Sequence, residues 1–433
     1  MQSATLNIEL ESQTSSEKAP TPAPVLPATD ENVPPADSAY GWLVVFASFF
    51  SLMFSIGSTT TYGIYLQHYK LTEFPTASES FLSWIGTLQA AMMCFFGIGV
   101  GIISEHVDTR LLSAFGSLIS GLALIIASFC SSPWKLLLTQ GLMFGFGGSF
   151  LYSTGLTLAP QWFVKYRALA TGIVIAGSGI GGLWLSFATT AMTNNLSRQW
   201  AQRITGLLTI GVCGAISILM KRRFKPIKRE RIIDFAVVRD KRFAILFLAA
   251  LFGLSGFYMP FFYMPTYSVI VLKRPENWGS NVSAILNGTS VAGRIIMGLL
   301  GDKIGALNTL SIATLVSCIS ILVLWLPFKS FGTFITAAVL FGFTSGAIVS
   351  MIPVVTANIF GVKRLPSIMG LVMFAYTIGA LVSSPPAGAM LDKYGHGTNF
   401  TSVIVYGGVF LAVSVVADIV LRIFVSRDVW KKV

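Results

Sequence analysis

From Gly41 onward the chain alternates long apolar stretches with short polar breaks. Twelve apolar segments stand out, near residues 41–66, 80–103, 111–130, 134–160, 166–192, 200–220, 243–271, 280–300, 307–326, 331–360, 365–390 and 400–424. Each runs for roughly 20–30 residues, long enough to cross a bilayer as a helix. Ten-residue units of alternating apolar and polar residues, the mark of a membrane barrel, do not occur. The pattern predicts an all-α membrane protein with twelve transmembrane helices. Residues 1–36 break it: Ser, Thr, Pro, Glu and Ala dominate, so this stretch cannot bury a core and is expected to be a disordered tail. It is polar and acidic rather than basic then apolar, unlike a cleavable signal.

The two halves of the pattern echo each other. GIISEH (101–106) follows segment two and GLLGDK (298–303) follows segment eight, so Glu105 and Asp302 stand at an offset of 197. KYRALATG (165–172) opens segment five and KRLPSIMG (363–370) opens segment eleven, at an offset of 198. Near-constant offsets at corresponding helix ends point to a duplicated six-helix unit. The expected organisation is a tail (1–36), an N-terminal bundle (37–220), a basic linker (221–242), a C-terminal bundle (243–424) and a short second tail (425–433). Parallel repeats joined by a central loop are the architecture of major facilitator transporters, whose substrates bind near the midplane between the halves.

Of 433 residues, 54% are hydrophobic and 11% charged, against about a quarter charged in soluble domains. The 41 glycines suit closely packed membrane helices. A net charge of +12 raises the question of nucleic acid, and its distribution answers it. With both tails on one side, that side carries 21 of the 30 Lys and Arg, the other carries 8, and Arg294 lies between. Basic residues concentrate on cytoplasmic loops, so both termini are expected in the cytoplasm. The block KRRFKPIKRERIIDFAVVRDKR (221–242) then faces anionic lipid headgroups, not nucleic acid. Cys94, Cys130, Cys213 and Cys318 sit singly in apolar runs and read as small hydrophobes. No metal or other cofactor is expected. His68, His106 and His396 fall at loops.

Several stretches resemble the monocarboxylate-porter family, and most closely its fungal branch. DSAYGW (37–42) resembles the family's entry motif, with Ser38 in place of the usual glycine. QWFVKYRALATGIVIAGSGIGG (161–182) resembles its fifth-helix signature, and SSPPAGAMLDKYG (383–395) its eleventh-helix ending. PFFYMPTY (260–267) and FTSGAIVSMIP (343–353) look closest to the fungal members. The resemblance covers about residues 37–425 and implies two pseudo-symmetric six-helix bundles of the major facilitator fold. It also implies that Asp302 and Glu105 latch a cytoplasmic gate, by pairing with basic residues such as Lys165, Arg167 and Arg364 or by capping a neighbouring helix N-terminus. The first-half copy, EHVDTR, is degenerate. Physically, Tyr40 and Trp42 suit an interfacial anchor for the first helix, and Lys165 and Arg167 can snorkel at the end of the fifth. Residues 177–182 satisfy G-x-G-x-x-G, but inside an apolar helix this pattern serves close packing rather than a dinucleotide.

The residue that demands an explanation is Arg294, within AILNGTSVAGRIIMGLLGDKIG (284–305). It lies about 20 Å along its helix from the outer end, where a charge costs at least about 3 kcal/mol unless it faces the bundle interior or water. Ser283, Asn287, Ser290 and Arg294 form one polar stripe at spacings of 4, 3 and 4. Two roles stay open: the arginine binds an anionic or carbonyl-bearing solute, or it bonds to carbonyls of a neighbouring helix. The resemblance favours binding, since the family uses an arginine on this helix to hold a carboxylate. Where animal porters carry a proton-coupling aspartate one turn earlier, this chain has Ser290; where they carry a lysine on helix one, it has Thr60. Both departures argue against lactate–proton symport of the animal kind. Tyr62, Tyr65, Tyr152, Tyr258, Tyr263 and Tyr376 are candidate cavity walls. Pro260 and Pro265 are placed to kink helix seven, and Asp418 is spaced to pair with Arg422 at i+4.

The function expected from all this is transport of a small organic solute by alternating access, with a carboxylate first and a flat aromatic solute such as riboflavin second. A non-transporting nutrient sensor is the rival from another class, disfavoured by the short tail after 424. An enzyme is not expected, since no metal cluster, phosphate loop or nucleophile triad is present in the sequence. The expected partners are the solute and the lipid bilayer, around a monomer in the plasma membrane ahead of the vacuolar membrane. Asn195 and Asn399 open glycosylation sequons on the outer side.

Overall fold

The computed structural model describes residues 34–77, 79–224, 235–275, 277–327, 330–395 and 399–426. Most of both expected tails, the centre of the basic linker and His396 lie outside these residues. All regular structure among the described residues is helical. The principal helices are α1 (Ala39–Thr60), α2 (Glu79–Ile103), α3 (Thr109–Ala127), α4 (Phe144–Trp162), α5 (Arg167–Asn195), α6 (Arg198–Leu208), α7 (Lys241–Ile270), α8 (Asn277–Ile304), α9 (Ala306–Ile319), α10 (Phe331–Phe360), α11 (Leu365–Gly395) and α12 (Thr401–Val425).

Ten of them are long and apolar enough to cross a membrane, among the described residues. The expected fourth and sixth segments do not form single long helices of that kind. The fourth runs through Pro133–Leu136, a π-helical stretch Leu137–Met143 and then α4; the sixth runs through α6, a π-helical stretch Thr209–Cys213 and Gly214–Ser217. α4 is rich in Gly, Ser and Thr and closes on Pro160, Gln161 and Trp162, which dilutes its apolar character. α6 opens on Arg198, Gln199, Gln202 and Arg203, with the same effect.

Local chemistry sets the helix ends. Asp108 and Asp240 cap α3 and α7 by accepting the backbone N–H groups of Arg110 and Arg242 at 3.0 and 2.8 Å. Gly305, at φ 99°, turns the chain between α8 and α9, a backbone conformation that side chains disfavour. The chain runs up and down, so the start of α1 and the end of α12 share one end, called the tail end below. There the Tyr40 hydroxyl donates to Leu219 O at 3.1 Å and its ring lies 5.1 Å from that of Trp162. Tyr40 therefore ties α1 to the end of the sixth segment rather than reaching for an interface.

Residues from Ala36 onward form one compact unit. α1 packs on α4 and α5, α7 on α11 and α12, and α8 on α10; α5 with α8 and α2 with α11 join the two sequence halves. The glycine motif at 177–182 is a packing surface. A Cβ on Gly177 or Gly181 would overlap the carbonyl oxygens of Phe49 or Met53 in α1. All four cysteines are buried free thiols.

Candidate functional site: Arg294 and Asp302

Close approach of α5 and α8 creates the setting for Arg294. A Cβ on Gly172 would overlap the carbonyl oxygen of Arg294, and one on Gly298 would come within 2.8 Å of Ala168 O. The arginine side chain passes over Gly346 of α10, where a Cβ would lie 2.7 Å from its Cγ. Its Nη1 donates to Ile175 O at 2.9 Å and to Ser178 Oγ at 2.7 Å, both on α5. Ser178 Oγ passes its own proton to Ile175 O, so it accepts from the guanidinium. Arg294 is 7% exposed, and its Nε is buried without an acceptor among the described residues. The guanidinium is thus anchored on one side and unsatisfied on another. Of the two roles left open by the sequence, bonding to a neighbouring helix occupies only Nη1.

Tyr152 of α4 lies within electrostatic range of Arg294, Cys94, Tyr258 and Tyr376. The hydroxyl of Tyr376 and the Oγ of Ser290 are buried without partners among the described residues. Tyr152, Tyr258 and Tyr376, from α4, α7 and α11, thus lie within electrostatic range of Cys94 of α2, and Tyr152 links them to Arg294 of α8. Asn287, one turn from Ser290, is half-buried, and its Nδ2 donates to Ser283 O of its own helix at 2.9 Å.

Tyr62 and Tyr263 belong elsewhere. α1 stops at Thr60, and the short helix Tyr62–His68 that follows carries Tyr62 into a cluster with Tyr65, Tyr69, Leu82 and Ile85. Tyr263 packs with Met259, Ala387 and Val403. It stands five residues past Tyr258, about 140° round the helix, so the two tyrosines cannot line one wall. Cys94 and Ser178 were not singled out as site residues from the sequence. A usable signal for Ser178 existed: a hydroxyl flanked by two glycines is open to a side chain from another helix.

At the tail end Asp302 reaches from α8 to the start of α5. Its Oδ1 accepts Ala168 N at 2.8 Å and its Oδ2 accepts Leu169 N at 2.9 Å. α5 lacks a side-chain cap of its own, so a carboxylate from another helix satisfies two of its free N–H groups and its dipole. Arg167 does not snorkel. Its Nε donates to Pro160 O and Phe163 O at 3.1 and 3.0 Å, and its Nη1 to Asn358 Oδ1 of α10 at 2.6 Å. Carbonyls left open at the end of α4 attract it inward. Lys165 is exposed, its ammonium 5.1 Å from the centre of the Tyr166 ring, and Arg364 is exposed in the turn Val362–Arg364. Arg167, Asp302 and Asn358 line a cleft of about 430 Å³.

Glu105 is half-buried and faces Arg222 together with Asp108. Burial lowers the Arg222 pKa, and Asp108 and then Glu105 oppose that shift. The Asp418–Arg422 pair does not form: Arg422 Nε donates to Asn308 Oδ1 of α9 at 2.6 Å, and both Asp418 oxygens are buried without a hydrogen bond among the described residues.

The sequence matches the family described as Major Facilitator Superfamily over residues 41–294 and 277–432. The fujikurins efflux protein of Gibberella fujikuroi is 31% identical over 391 residues, spanning 89% of this chain and 83% of that protein. The agnestins efflux protein of Paecilomyces divaricatus is 29% identical over 375 residues, spanning 85% and 86%. The aspyridones efflux protein of Emericella nidulans is 29% identical over 402 residues, spanning 88% and 79%. Among solved structures, the chain superposes on a bacterial homologue of the iron transporter ferroportin in its outward-facing state, with TM-score 0.69, 11% identity and coverage of 88% and 99%. The E. coli fucose:proton symporter gives TM-score 0.65 at 13% identity, covering 87% and 98%.

Proposed function

We propose, from the premise that this chain belongs to the major facilitator superfamily, that it exports a small organic acid by alternating access. Membrane insertion and transport by a multi-pass helical protein come with the family. Acid selectivity and direction are inferences from the site and from the efflux relatives. The observation that carries the reading is Arg294: a buried guanidinium held among the described residues by Nη1, with Nε unpaired there. Desolvating that cation costs several kcal/mol, and an anionic oxygen supplied by a solute would offset the cost with charge-assisted bonds. Tyr152, Tyr258 and Tyr376 would flank the solute's apolar body, and the lone Ser290 and Tyr376 hydroxyls would meet its polar edge. Ser290 cannot hold a proton, so the animal-type mechanism does not apply at this position.

The motifs at 37–42, 161–182 and 383–395 support the monocarboxylate-porter-like branch. We infer twelve spans, with the two π-interrupted runs as the fourth and sixth, and two six-helix bundles at 37–220 and 243–424. The excess of Lys and Arg assigns the tail end to the cytoplasm. Asp302 and Arg167 would then hold the cytoplasmic gate, with export across the plasma membrane by a monomer.

Tyrosine lining favours a second reading, a flat uncharged aromatic solute such as riboflavin. The experiment that separates the two is transport in proteoliposomes of labelled organic acids, their methyl esters and riboflavin. Export of acids over their esters supports the first reading. Equal transport of acid and ester, or of riboflavin alone, refutes it.

A further inference from the structure

Asp418 has no part in the solute site, yet it is the least expected residue in the C-terminal half. It is 1% exposed within α12, and both carboxylate oxygens lack a hydrogen bond among the described residues. It lies seven residues before the end of its helix, about 10 Å along the axis.

Donor accounting around it points one way. The Thr314 hydroxyl of α9 faces the carboxyl, but it donates its proton to Leu310 O at 2.9 Å. The Ser414 hydroxyl, one turn earlier on α12, donates to Ala249 O at 3.0 Å. Both hydroxyls are thus engaged with backbone carbonyls, and neither makes a hydrogen bond to the carboxyl. From α7, α9, α11 and the π-helical stretch Ser320–Trp325, the elements packed on α12, no charged or titratable side chain among the described residues acts on Asp418. On its own helix, Arg422 turns to Asn308 and to Ser426 O. An ionised carboxylate here would have neither a hydrogen-bond donor nor a counter-charge among the described residues, a cost that protonation removes. Buried ionisable groups in membrane helices are costly and commonly serve proton or ion movement.

We propose that Asp418 is a proton-binding site, occupied in this conformation and emptied when the C-terminal helices rearrange. One proton binds one carboxylate and leaves it, and no other bond changes. The connection to the solute site runs through α10. A Cβ on Gly253 of α7 would lie 3.0 Å from Ser414 Oγ and 3.2 Å from Ile348 Cγ2, so α7, α10 and α12 meet at Ser414, one turn from Asp418. Two residues before Ile348, Gly346 backs the Arg294 side chain. A change of charge at Asp418 thus bears on the helix that supports the arginine, and the proton would move with the solute. The coupling rests on the transport reading above; the proton site does not.

Two measurements on the full-length protein test this. In proteoliposomes, wild type should accumulate a transported acid against its gradient when a pH gradient is imposed. Asp418→Asn should keep solute exchange and lose that accumulation. Accumulation retained by Asp418→Asn, or driven in wild type by sodium rather than by protons, would overturn the proposal. Independently, purified wild type should show the infrared carbonyl stretch of a buried protonated carboxyl that disappears as pH rises. That band should be absent in Asp418→Asn, or displaced in Asp418→Glu if the asparagine variant does not fold. A spectrum without a titrating buried carboxyl refutes the site whatever the transport result. If wild type carries no solute, the transport reading fails and the infrared titration still decides whether Asp418 takes a proton.

Discussion

Asp302→Ala is the perturbation whose size the structure constrains best. The carboxylate accepts two backbone N–H groups at the start of α5 from the last turn of α8, at 2.8 and 2.9 Å. Losing an N-cap costs about 0.5–2 kcal/mol. Because both oxygens are used and the N-cap residue Tyr166 gives α5 no side-chain cap of its own, the upper end applies. About 2 kcal/mol corresponds to a factor of about 30 in a two-state equilibrium. These bonds join α5 to α8; if they form the proposed gate and break when the tail end opens, the loss falls on the closed state. Asp302→Asn keeps one acceptor oxygen and should lose about half, about 1 kcal/mol. Spin labels at the exposed positions Lys165→Cys and Lys303→Cys would report the separation across the latch by pulsed electron resonance. The expected result is growth of a long-distance population in the order wild type, Asp302→Asn, Asp302→Ala. An unchanged distance distribution in a folded Asp302→Ala variant would refute the latch.

Gly172→Ala should lower the melting temperature in detergent by the equivalent of about 1–3 kcal/mol, because its Cβ would overlap Arg294 O. Gly288→Ala on α8, with nothing within 4 Å of its Cβ, is the control and should be neutral or stabilising. Arg198→Gln should cost about 3 kcal/mol by breaking a buried pair, since Arg198 is 3% exposed and bonds Glu73 at 2.7 Å. Chemical denaturation of the Glu73→Gln double variant should recover part of that loss. Tyr376→Phe removes a hydroxyl that lacks a partner among the described residues, so melting should stay level or rise by about 1 kcal/mol while solute transport falls. A variant less stable than wild type would mean that the hydroxyl is satisfied.

Much of the fold was legible because the apolar segments are long and the breaks between them polar. The fourth and sixth were read as continuous, but their small, hydroxyl and amide residues leave them weakly apolar and π-interrupted. Asp302 was readable as a helix-end carboxylate, whereas its target on α5 depends on a helix crossing set by Gly172 and Gly298, which spacing alone does not reveal. Its position lets Arg167 snorkel, but the carbonyls at the end of α4 draw it inward instead. Spacing allowed Asp418 and Arg422 to pair, but Asn308, brought by α9, takes the guanidinium. Residue type groups Tyr263 with the other tyrosines, but helical phase separates it from Tyr258. Residue type and local spacing were visible in the chain; partners supplied by distant helices were not.

The central claim is that Arg294 selects an acid. Transport of one labelled organic acid and its methyl ester by wild type and Arg294→Gln, at matched expression and melting temperature, tests it most directly. Charge-assisted bonds worth about 1.5–3 kcal/mol predict an acid-over-ester preference of about 10- to 150-fold in wild type, lost in Arg294→Gln. A folded Arg294→Gln protein that still prefers the acid would contradict the account and leave the arginine as a brace between α8 and α5.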